Sequence, residues 1–306
     1  MQKNRLGQSS VHVSNLTLGC MSLGTDPDNV ASLIDQALDA GINHLDTADL
    51  YDFGMNETLI GDAIHERRKD IVLTSKVGNH FDATKKDWFW DPSKDHIKNG
   101  LKESLRRLQT DYLDVYMLHG GTIDDPIDES IAAFEELKEE GLILAYGISS
   151  IRSNVIREYV QRSNMDVVMM QYSLLDRRPE EAMLDLLHEH NISVLARGPL
   201  AKGILADGGS RQLDAKAQDG LLGYSYPELE MIHEELSRIG GFGNTRNELA
   251  LKYVLRHPAV ASAVFGASSP EQIKANTDWK TEEPLSKDLY HQLAGLTKPI
   301  QYTNHR

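Results

Sequence analysis

Short apolar runs alternate along this chain with longer segments whose apolar residues recur at helical spacing. Each run has the length and the β-branched or aromatic content of a buried strand, and loop-forming residues follow it. Eight strands are predicted: NLTLGC (15–20), INHLDT (42–47), IVLTSKV (71–77), YLDVYML (112–118), ILAYGIS (143–149), DVVMMQY (166–172), ISVLAR (192–197) and ASAVFG (261–266).

The segments between these runs carry signals for the start and end of helices. Asp26 and Pro27 are typical of an N-cap and a first helical residue, and Gly41 lies where that helix would end. Ser269 and Gln272 form a capping-box pattern directly after the last predicted strand. The pattern therefore predicts strands and helices in regular alternation.

This alternation predicts an α/β fold with a parallel sheet. Eight units in 306 residues favour closure into a (β/α)8 TIM barrel, and an open doubly wound sheet is the alternative. No linker interrupts the chain, so we expect one domain over residues 1–306. Residues 3–14 are expected to form a β-hairpin that caps the barrel floor. The glycine-rich connection 198–226 is unusually long, which is typical of a functional lid or a partly disordered segment.

Composition narrows the class of protein. The net charge of −14 disfavours binding to nucleic acid or to an anionic membrane. The chain opens without a secretory signal, and no apolar run is long enough to span a bilayer. Cys20 is the only cysteine, which excludes an intrachain disulfide and a cysteine metal cluster. We therefore expect a cytoplasmic protein.

Polar side chains stand at the carboxyl ends of the predicted strands, where a barrel interior would be apolar. Singly, each has a structural explanation, such as a hydrogen-bonded core histidine or a buried ion pair. Because these strand ends meet at one mouth of a barrel, we expect a single polar ring there. Its members are Asp46, Tyr51, Lys76, His119, Ser149, Ser150, Gln171 and Arg197.

Four of these groups suit proton delivery to a carbonyl oxygen. A phenol has an ordinary pKa of about 10, which is too high for an efficient acid at neutral pH, and a neighbouring ammonium lowers it. Lys76 could therefore activate Tyr51 as a general acid while Asp46 holds Lys76 in place. His119 could orient the substrate oxygen.

Several segments resemble the aldo-keto reductase family, in particular the bacterial general reductases related to potassium-channel β-subunits. The segments that carry the resemblance are RLGQSSVHVSNLTLGCMSLG (5–24), HLDTADLYDFGMNETLIGDAI (44–64), VLTSKVG (72–78), YMLHG (116–120), GISS (147–150), MMQYSLLDR (169–177), RGPLAKGIL (197–205) and FGASSPEQIKAN (265–276). The resemblance implies reduction of aldehydes or ketones to alcohols by hydride transfer. It also implies a catalytic tetrad of Asp46, Tyr51, Lys76 and His119.

The resemblance further implies NADPH, or less often NADH, bound across the barrel mouth. No G-x-G-x-x-G follows a predicted strand, which agrees with a cofactor site that is not a Rossmann fold. The implied cofactor-binding residues are Ser149, Ser150, Gln171, Arg197, Gly198, Leu200, Lys202, Gly203, Gly266, Ala267, Ser268, Ser269, Gln272 and Asn276.

The chain departs from the family pattern at the cofactor positions. Ser150 replaces a usual asparagine, and Arg197 replaces the aromatic residue that often stacks on nicotinamide. Gly266 and Gln272 replace basic residues that often hold a 2′-phosphate, which leaves weaker candidates such as Lys274. We hypothesise that Arg197 disfavours the positively charged oxidised ring. An arginine held in a loop salt bridge is the alternative.

The loop after the third strand, NHFDATKKDWFWDPS (79–93), carries the candidate substrate residues. Trp88, Phe89 and Trp90, together with His119, could form a wall for an apolar or planar carbonyl compound. The alternative is that these aromatic residues only pack the loop onto the barrel.

Two other classes of protein stay open. His44 and Asp46 face the same way on one strand, as the ligands of a metal-dependent barrel hydrolase would. No second histidine pair occurs at the strand ends, however, and Lys76 would repel a cation. The other class is a reductase-like nucleotide-binding regulatory protein with slow turnover.

Overall fold

Eight parallel strands close into a barrel in the structure, a computed structural model that describes residues 1–82, 84–240, 244–279 and 283–306. The closed sheet confirms the TIM barrel and excludes the open doubly wound alternative. Each predicted strand is present with ends within two residues of those expected. The barrel strands, in order around the sheet, are β3 (Leu16–Gly19), β4 (His44–Asp46), β5 (Val72–Val77), β8 (Leu113–Leu118), β9 (Ile143–Ser149), β10 (Val167–Gln171), β11 (Ser193–Arg197) and β12 (Val260–Gly266).

Helices follow the barrel strands and pack outside them. They are α1 (Pro27–Asp39), α2 (Met55–Ile64), α3 (Lys94–Leu108), α4 (Ile127–Glu139), α5 (Ser153–Arg162), α6 (Met183–Glu189), α7 (Gly209–Lys216), α8 (Tyr226–Gly240), α9 (Arg246–Leu255), α10 (Pro270–Thr277) and α11 (Lys287–Gly295). Within the described ranges, none of these helices combines the length and the apolar character needed to cross a bilayer.

The helix ends follow the sequence signals. The Asp26 carboxylate accepts a hydrogen bond from the backbone N–H of Asn29 at 3.0 Å and caps α1. Gly41, which follows α1, has a φ of +92°, the left-handed conformation that favours glycine. The Ser269 hydroxyl accepts from the N–H of Gln272 and caps α10, as the capping-box pattern predicts.

A β-hairpin closes the floor of the barrel, as expected for residues 3–14. Its antiparallel strands are β1 (Lys3–Arg5) and β2 (His12–Ser14). Leu6, Val11 and Val13 are buried against apolar side chains of the barrel interior. The Asn4 amide also donates to the backbone carbonyl of Ala261 in β12 at 2.8 Å. The floor is therefore sealed by apolar packing, and the open end of the barrel lies at the carboxyl ends of its strands.

Two predicted loops contain regular structure. The segment 79–93 forms a separate antiparallel hairpin of β6 (Asn79–Asp82) and β7 (Asp87–Trp90), although residue 83 of this segment lies outside the described residues. The connection 198–226 is ordered as a 3-10 turn at Ala201–Gly203, then α7, then the first residue of α8. Neither regular element was predicted, because β6 and β7 have only four residues each and the eight residues of α7 include a single large apolar side chain, so neither shows a clear periodicity.

Candidate active site

A cavity of about 1240 Å³ opens at the carboxyl ends of the barrel strands. Its wall includes the strand-end residues Asp46, Gln171 and Arg197, and His119 directly after β8. Residues of the connection after β11 and of α10 close its other side. The expected polar ring at one mouth of the barrel is therefore present.

Lys76 lies at the centre of this ring, on β5, and its side chain is fully buried. Its ammonium is 2.8 Å from Asp46 Oδ1 and donates to the backbone carbonyl of Thr47 at 2.7 Å. Asp46 ends the neighbouring strand β4, with which β5 pairs in parallel. The strand register thus places the two charges side by side, and each compensates the other's loss of hydration.

Tyr51 approaches the same ammonium from the loop after β4. Lys76 Nζ lies 5.1 Å from the centroid of the Tyr51 ring. The tyrosine begins a short 3-10 turn in which Asp52, Phe53 and Gly54 all have positive φ values, of 47°, 53° and 88°. Two successive non-glycine residues in this region are strained, which is common where a turn has to aim a functional side chain.

Burial and the neighbouring charges shift the pKa values of Tyr51 and Lys76 in opposite directions. Burial raises the pKa of the Tyr51 phenol, and the Lys76 ammonium only partly offsets this rise. Burial alone would lower the pKa of Lys76, but Asp46 and Tyr51 raise it above its ordinary value. Lys76 is therefore held charged. In the absence of ligands, its effect on Tyr51 is to limit the rise in pKa, a smaller effect than the sequence argument expected.

His119 directly follows β8 and lines the cavity. Its ring meets the Tyr51 ring edge-on, with centroids 5.8 Å apart. Burial, followed by the charges of Lys76 and Arg197, lowers the pKa of His119 to about 3, so the imidazole is neutral at physiological pH. Its buried Nδ1 has no hydrogen-bond partner among the described residues. A neutral imidazole at this place can donate or accept one hydrogen bond without introducing a charge.

A second layer of buried acidic groups lies behind Lys76, and the sequence argument missed it. Glu57 of α2 accepts hydrogen bonds from the Ser75 hydroxyl and, at 2.6 Å, from the Arg107 guanidinium. Asp49 is buried nearby, and burial together with the charge of Glu57 raises its pKa to about 8. The acidic residues of the segment 44–64 gave the only signal for this layer.

The candidate cofactor residues lie mostly on one side of the cavity. Twelve of the fourteen line its wall: Ser149, Ser150, Gln171, Arg197, Gly198, Leu200, Lys202, Gly203, Gly266, Ser268, Gln272 and Asn276. Ala267 and Ser269 are not part of the wall, because Ala267 is buried in the core and the Ser269 hydroxyl caps α10. Further wall residues come from α7 and α9, among them Lys216 and Asn247.

Arg197 projects into the cavity from the end of β11. Its guanidinium donates to Gln171 Oε1 at 3.3 Å. No ion pair holds it in the described part of the chain, so the alternative of a loop salt bridge has no support. Burial lowers the pKa of Arg197, and the neighbouring Tyr51 and Asp176 partly offset this. A cation therefore stands beside the catalytic candidates.

The start of α10 suits an anionic group. The backbone N–H and the hydroxyl of Ser268 both donate to Gln272 Oε1, at 2.8 and 3.3 Å. The amide oxygen thus fills a place that a phosphate oxygen would also satisfy at a helix N-terminus. Lys274, the other candidate for a 2′-phosphate, instead pairs with Asp278 on the outer surface.

The aromatic residues of the β6–β7 hairpin divide between two surfaces. Trp88 and Trp90 line the cavity, and the Trp90 indole N–H donates to Asp125 Oδ1 at 3.0 Å. Phe89 is 59% exposed and stacks on His80 outside the cavity. Side chains alternate across a strand, so Phe89 has to face away from its two neighbours.

His44 is used for structure rather than for a metal. It is fully buried, and its two ring nitrogens contact the hydroxyls of Thr17 and Thr74 at 2.8 and 2.7 Å. A metal ligand needs a free ring nitrogen, so the pair His44 and Asp46 does not have the arrangement that a barrel hydrolase requires.

The fold and the cavity define an α/β barrel with a polar ligand site at the carboxyl ends of its strands. Residues 15–298 match the model of the aldo/keto reductase family. The chain therefore belongs to the aldo-keto reductase family, whose members use nicotinamide cofactors. The resemblance seen in the sequence is confirmed.

Individual relatives match over nearly the whole chain. The structure is similar to the holo form of the aldo-keto reductase AKR11C1 from Bacillus halodurans, with 50% identity and a TM-score of 0.92, over 100% of this chain and 99% of that one. An uncharacterized oxidoreductase of Bacillus subtilis, YqkF, is also 50% identical over 100% of both chains.

Two more distant relatives bear on the cofactor and on the branch of the family. The NADH-specific methylglyoxal reductase of Escherichia coli is 30% identical over 90% of this chain and 92% of its own. A probable voltage-gated potassium channel subunit beta of Arabidopsis thaliana is 29% identical over 90% of both. The expected relationship to channel β-subunits is therefore confirmed.

Proposed function

We propose that this chain reduces aldehyde or ketone carbonyls to alcohols with a nicotinamide cofactor, and that Tyr51 donates the proton. The observation that carries the proposal is the position of the Lys76 ammonium, which lies 2.8 Å from Asp46 Oδ1 and 5.1 Å from the centroid of the Tyr51 ring. His119 stands beside Tyr51 in the same cavity. Polar donors of this kind stabilise the charge that develops on a carbonyl oxygen.

Each of the four residues has a distinct task in this proposal. The bound cofactor supplies the hydride. Tyr51 gives its proton to the substrate oxygen, and Lys76 stabilises the phenolate that remains. Asp46 keeps Lys76 charged and oriented. His119, neutral because of its pKa of about 3, donates a hydrogen bond to the same oxygen and fixes the substrate's orientation.

The cavity wall fits the cofactor that the family uses. Ser149 and Gln171 end β9 and β10 close to the tetrad and offer a hydroxyl and an amide for a carboxamide group. Lys202 lies in the wall after β11, where a pyrophosphate would sit. We propose NADPH as the preferred form, because it is the commoner cofactor of the family and because the start of α10 offers N–H donors that suit a 2′-phosphate. Arg197 would also disfavour a positively charged oxidised ring.

The test replaces the phenol and keeps the ring. Tyr51→Phe should lower the rate of NADPH oxidation with an aldehyde by about 10²–10⁴-fold, the usual contribution of a general acid. The dissociation constant for NADPH should stay nearly unchanged. Tyr112→Phe makes the same chemical change outside the cavity wall and should leave the rate intact. Stopped-flow turnover and fluorescence titration measure the two quantities, and a Tyr51→Phe enzyme with full activity contradicts the proposed acid.

Cofactor preference has a separate test. We expect kcat/KM to be higher with NADPH than with NADH in the same aldehyde assay. The opposite order would place this chain with the NADH-specific methylglyoxal reductase in its cofactor use. It would leave the roles of the four residues unchanged.

A regulatory protein with slow turnover is the second candidate, and the relative named as a channel β-subunit favours it. Asp46, Tyr51 and His119 line one cavity and Lys76 pairs with Asp46 directly behind its wall, an arrangement that favours an enzyme. A panel of aldehydes in steady-state turnover separates the two candidates. Slow reduction of every substrate, with tight cofactor binding, would favour regulation.

A further inference from the structure

A cluster of two imidazoles and a carboxylate lies outside the cavity, at the base of the β6–β7 hairpin. His80 comes from β6, Asp91 directly follows β7, and His96 lies in the first turn of α3. One ligand atom from each of the three lies within 4.8 Å of the other two. Neither the proposed reaction nor the cofactor site uses these side chains.

The two histidines of the cluster face the same carboxylate oxygen. His80 Nδ1 is 3.5 Å and His96 Nδ1 is 4.0 Å from the same oxygen, Asp91 Oδ2. The other oxygen, Asp91 Oδ1, accepts from the backbone N–H of Ser93 at 3.1 Å, which fixes the carboxylate. Asp91 is thus oriented by the backbone, and its other oxygen lies between the two imidazoles, in a long hydrogen bond to His80 Nδ1.

His96 is the member whose surroundings need an explanation. Its side chain is largely buried, and neither of its ring nitrogens has a hydrogen bond in the ranges that the structure describes. Nε2 is the buried atom without a partner, and Nδ1 is the nitrogen that faces Asp91. A cation at the cluster would therefore be coordinated by Nδ1.

We propose that His80, Asp91 and His96 form a binding site for a divalent transition-metal cation such as Zn²⁺. Imidazole nitrogen and carboxylate oxygen are the ligands that Zn²⁺ and its neighbours prefer, whereas Mg²⁺ and Ca²⁺ prefer oxygen alone. Three protein ligands leave a position for water, as in open zinc sites.

Binding requires the three ligand atoms to move closer together. Tetrahedral ligands about 2.0–2.1 Å from zinc stand about 3.3 Å apart, whereas these atoms are separated by 3.5, 4.0 and up to 4.8 Å, so they have to approach by about 0.2 to 1.5 Å. The rings of His80 and His96 now stack with centroids 4.8 Å apart and an interplanar angle of 11°. One cation cannot lie in the planes of two parallel rings, so one ring has to turn. His80 is the ring that turns, because 53% of its side chain is exposed.

The cation would tie together three segments that support the substrate wall. It would join β6 and the end of β7 to α3, and Trp88 and Trp90 of this hairpin line the cavity. Rotation of His80 would also release it from Phe89, which stacks on its other face at 4.8 Å. Binding should therefore change the fluorescence of the neighbouring tryptophans.

The test is calorimetric titration of the metal-free full chain with Zn²⁺ alone in a buffer that does not chelate it. We expect one equivalent to bind. His80→Ala and His96→Ala should each weaken the binding at least about tenfold. His12→Ala, which removes an exposed histidine on the floor hairpin, is the matched control and should bind like the parent.

Co²⁺ gives a second measurement. Co²⁺ bound by these ligands should show visible absorption bands that disappear in both cluster variants and persist in His12→Ala. His80→Ala is the decisive variant, because an exposed side chain can be removed without loss of the fold. The proposal is overturned if the parent binds no Zn²⁺, or if His80→Ala binds it as tightly as the parent does.

Discussion

Burial sets the charge of the polar residues inside this barrel. His44 is enclosed between Thr17 and Thr74, and burial, followed by the charge of Lys76, lowers its pKa to about 3. An exposed histidine in the unfolded chain has a pKa of about 6.5. Between these two pKa values, His44 is therefore neutral in the folded protein and protonated in the unfolded chain.

This difference predicts a loss of stability in acid. Below pH 6.5 the unfolded chain takes up a proton at His44 that the folded chain binds only near pH 3. The stabilisation is therefore complete above pH 6.5 and is lost as the pH falls toward 3. In His44→Gln, the proton uptake on unfolding should be smaller by about one in this window.

Urea titrations at several pH values measure that uptake. His12→Gln, at an exposed position, should give the same slope of unfolding free energy against pH as the parent. Equal slopes for His44→Gln and the parent would show that His44 is already protonated in the folded protein.

Arg197 predicts a selective effect on the two redox states of the cofactor. A cation beside the nicotinamide should weaken binding of the positively charged oxidised ring more than that of the reduced ring. Arg197→Tyr should therefore narrow the ratio of the dissociation constants for NADP⁺ and NADPH. Fluorescence titration measures both constants, and Arg67→Tyr, on the outer surface, is the control. A ratio that does not change contradicts the hypothesis.

For single residues, the sequence predicted which side chains belong to the site better than it predicted the direction in which each side chain points. Asp46, Tyr51, Lys76 and His119 could be placed because their strands end at one mouth. Phe89 was expected in the wall with Trp88 and Trp90, but the alternation of a short unpredicted strand turns it outward. The buried pair of Asp49 and Glu57 left no pattern by which it could be separated from ordinary surface acids.

Among the elements, α2 and α3 approach each other at a glycine. A Cβ atom at Gly61 would lie 2.7 Å from the backbone carbonyl of Arg107 and 2.8 Å from Leu108. Backbone atoms cannot move aside as a flexible side chain can. The close approach matters to the site, because α2 also carries Glu57 behind Lys76.

Gly61→Ala should therefore destabilise the protein, although alanine favours helices. We expect a loss of about 1–3 kcal/mol in the free energy of unfolding, which is typical of overpacking. Gly295→Ala, at the end of α11 with no atom within 4 Å of the new Cβ, should be nearly neutral. Chemical denaturation of both variants measures the difference, and equal stabilities would mean that the two helices can separate at no cost.

The sequence predicted the barrel elements closely because each strand is buried on both faces. Such strands read as continuous apolar runs, and ILAYGIS matches β9 at both ends. β6 and β7 are only four residues long, and most of their side chains are exposed or half-buried, so they show no such run. For the same reason, α7 was not predicted within the glycine-rich connection.

For the molecule as a whole, the two ends of the barrel have different tasks. The floor is filled by Leu6, Val11 and Val13, and the opposite mouth holds polar groups and a cavity. We expect Leu6→Ala to reduce stability by about 2–5 kcal/mol, since it leaves a void in a fully buried position.

The same variant should keep its KM for cofactor and substrate at temperatures where it is folded. Met231→Ala, at a position that is 53% exposed on α8, should change neither stability nor activity. Thermal melts and steady-state kinetics measure the two properties. A changed KM in Leu6→Ala would show that the floor and the mouth are coupled.

The β6–β7 hairpin pairs only with itself and not with the closed sheet. No hydrogen bond of the barrel ladder depends on its length or on its residues, so insertions and exchanges there leave the scaffold intact. This hairpin is therefore a part of the cavity wall that evolution or an engineer can exchange to admit a different ligand, because the residues proposed for proton transfer lie outside it.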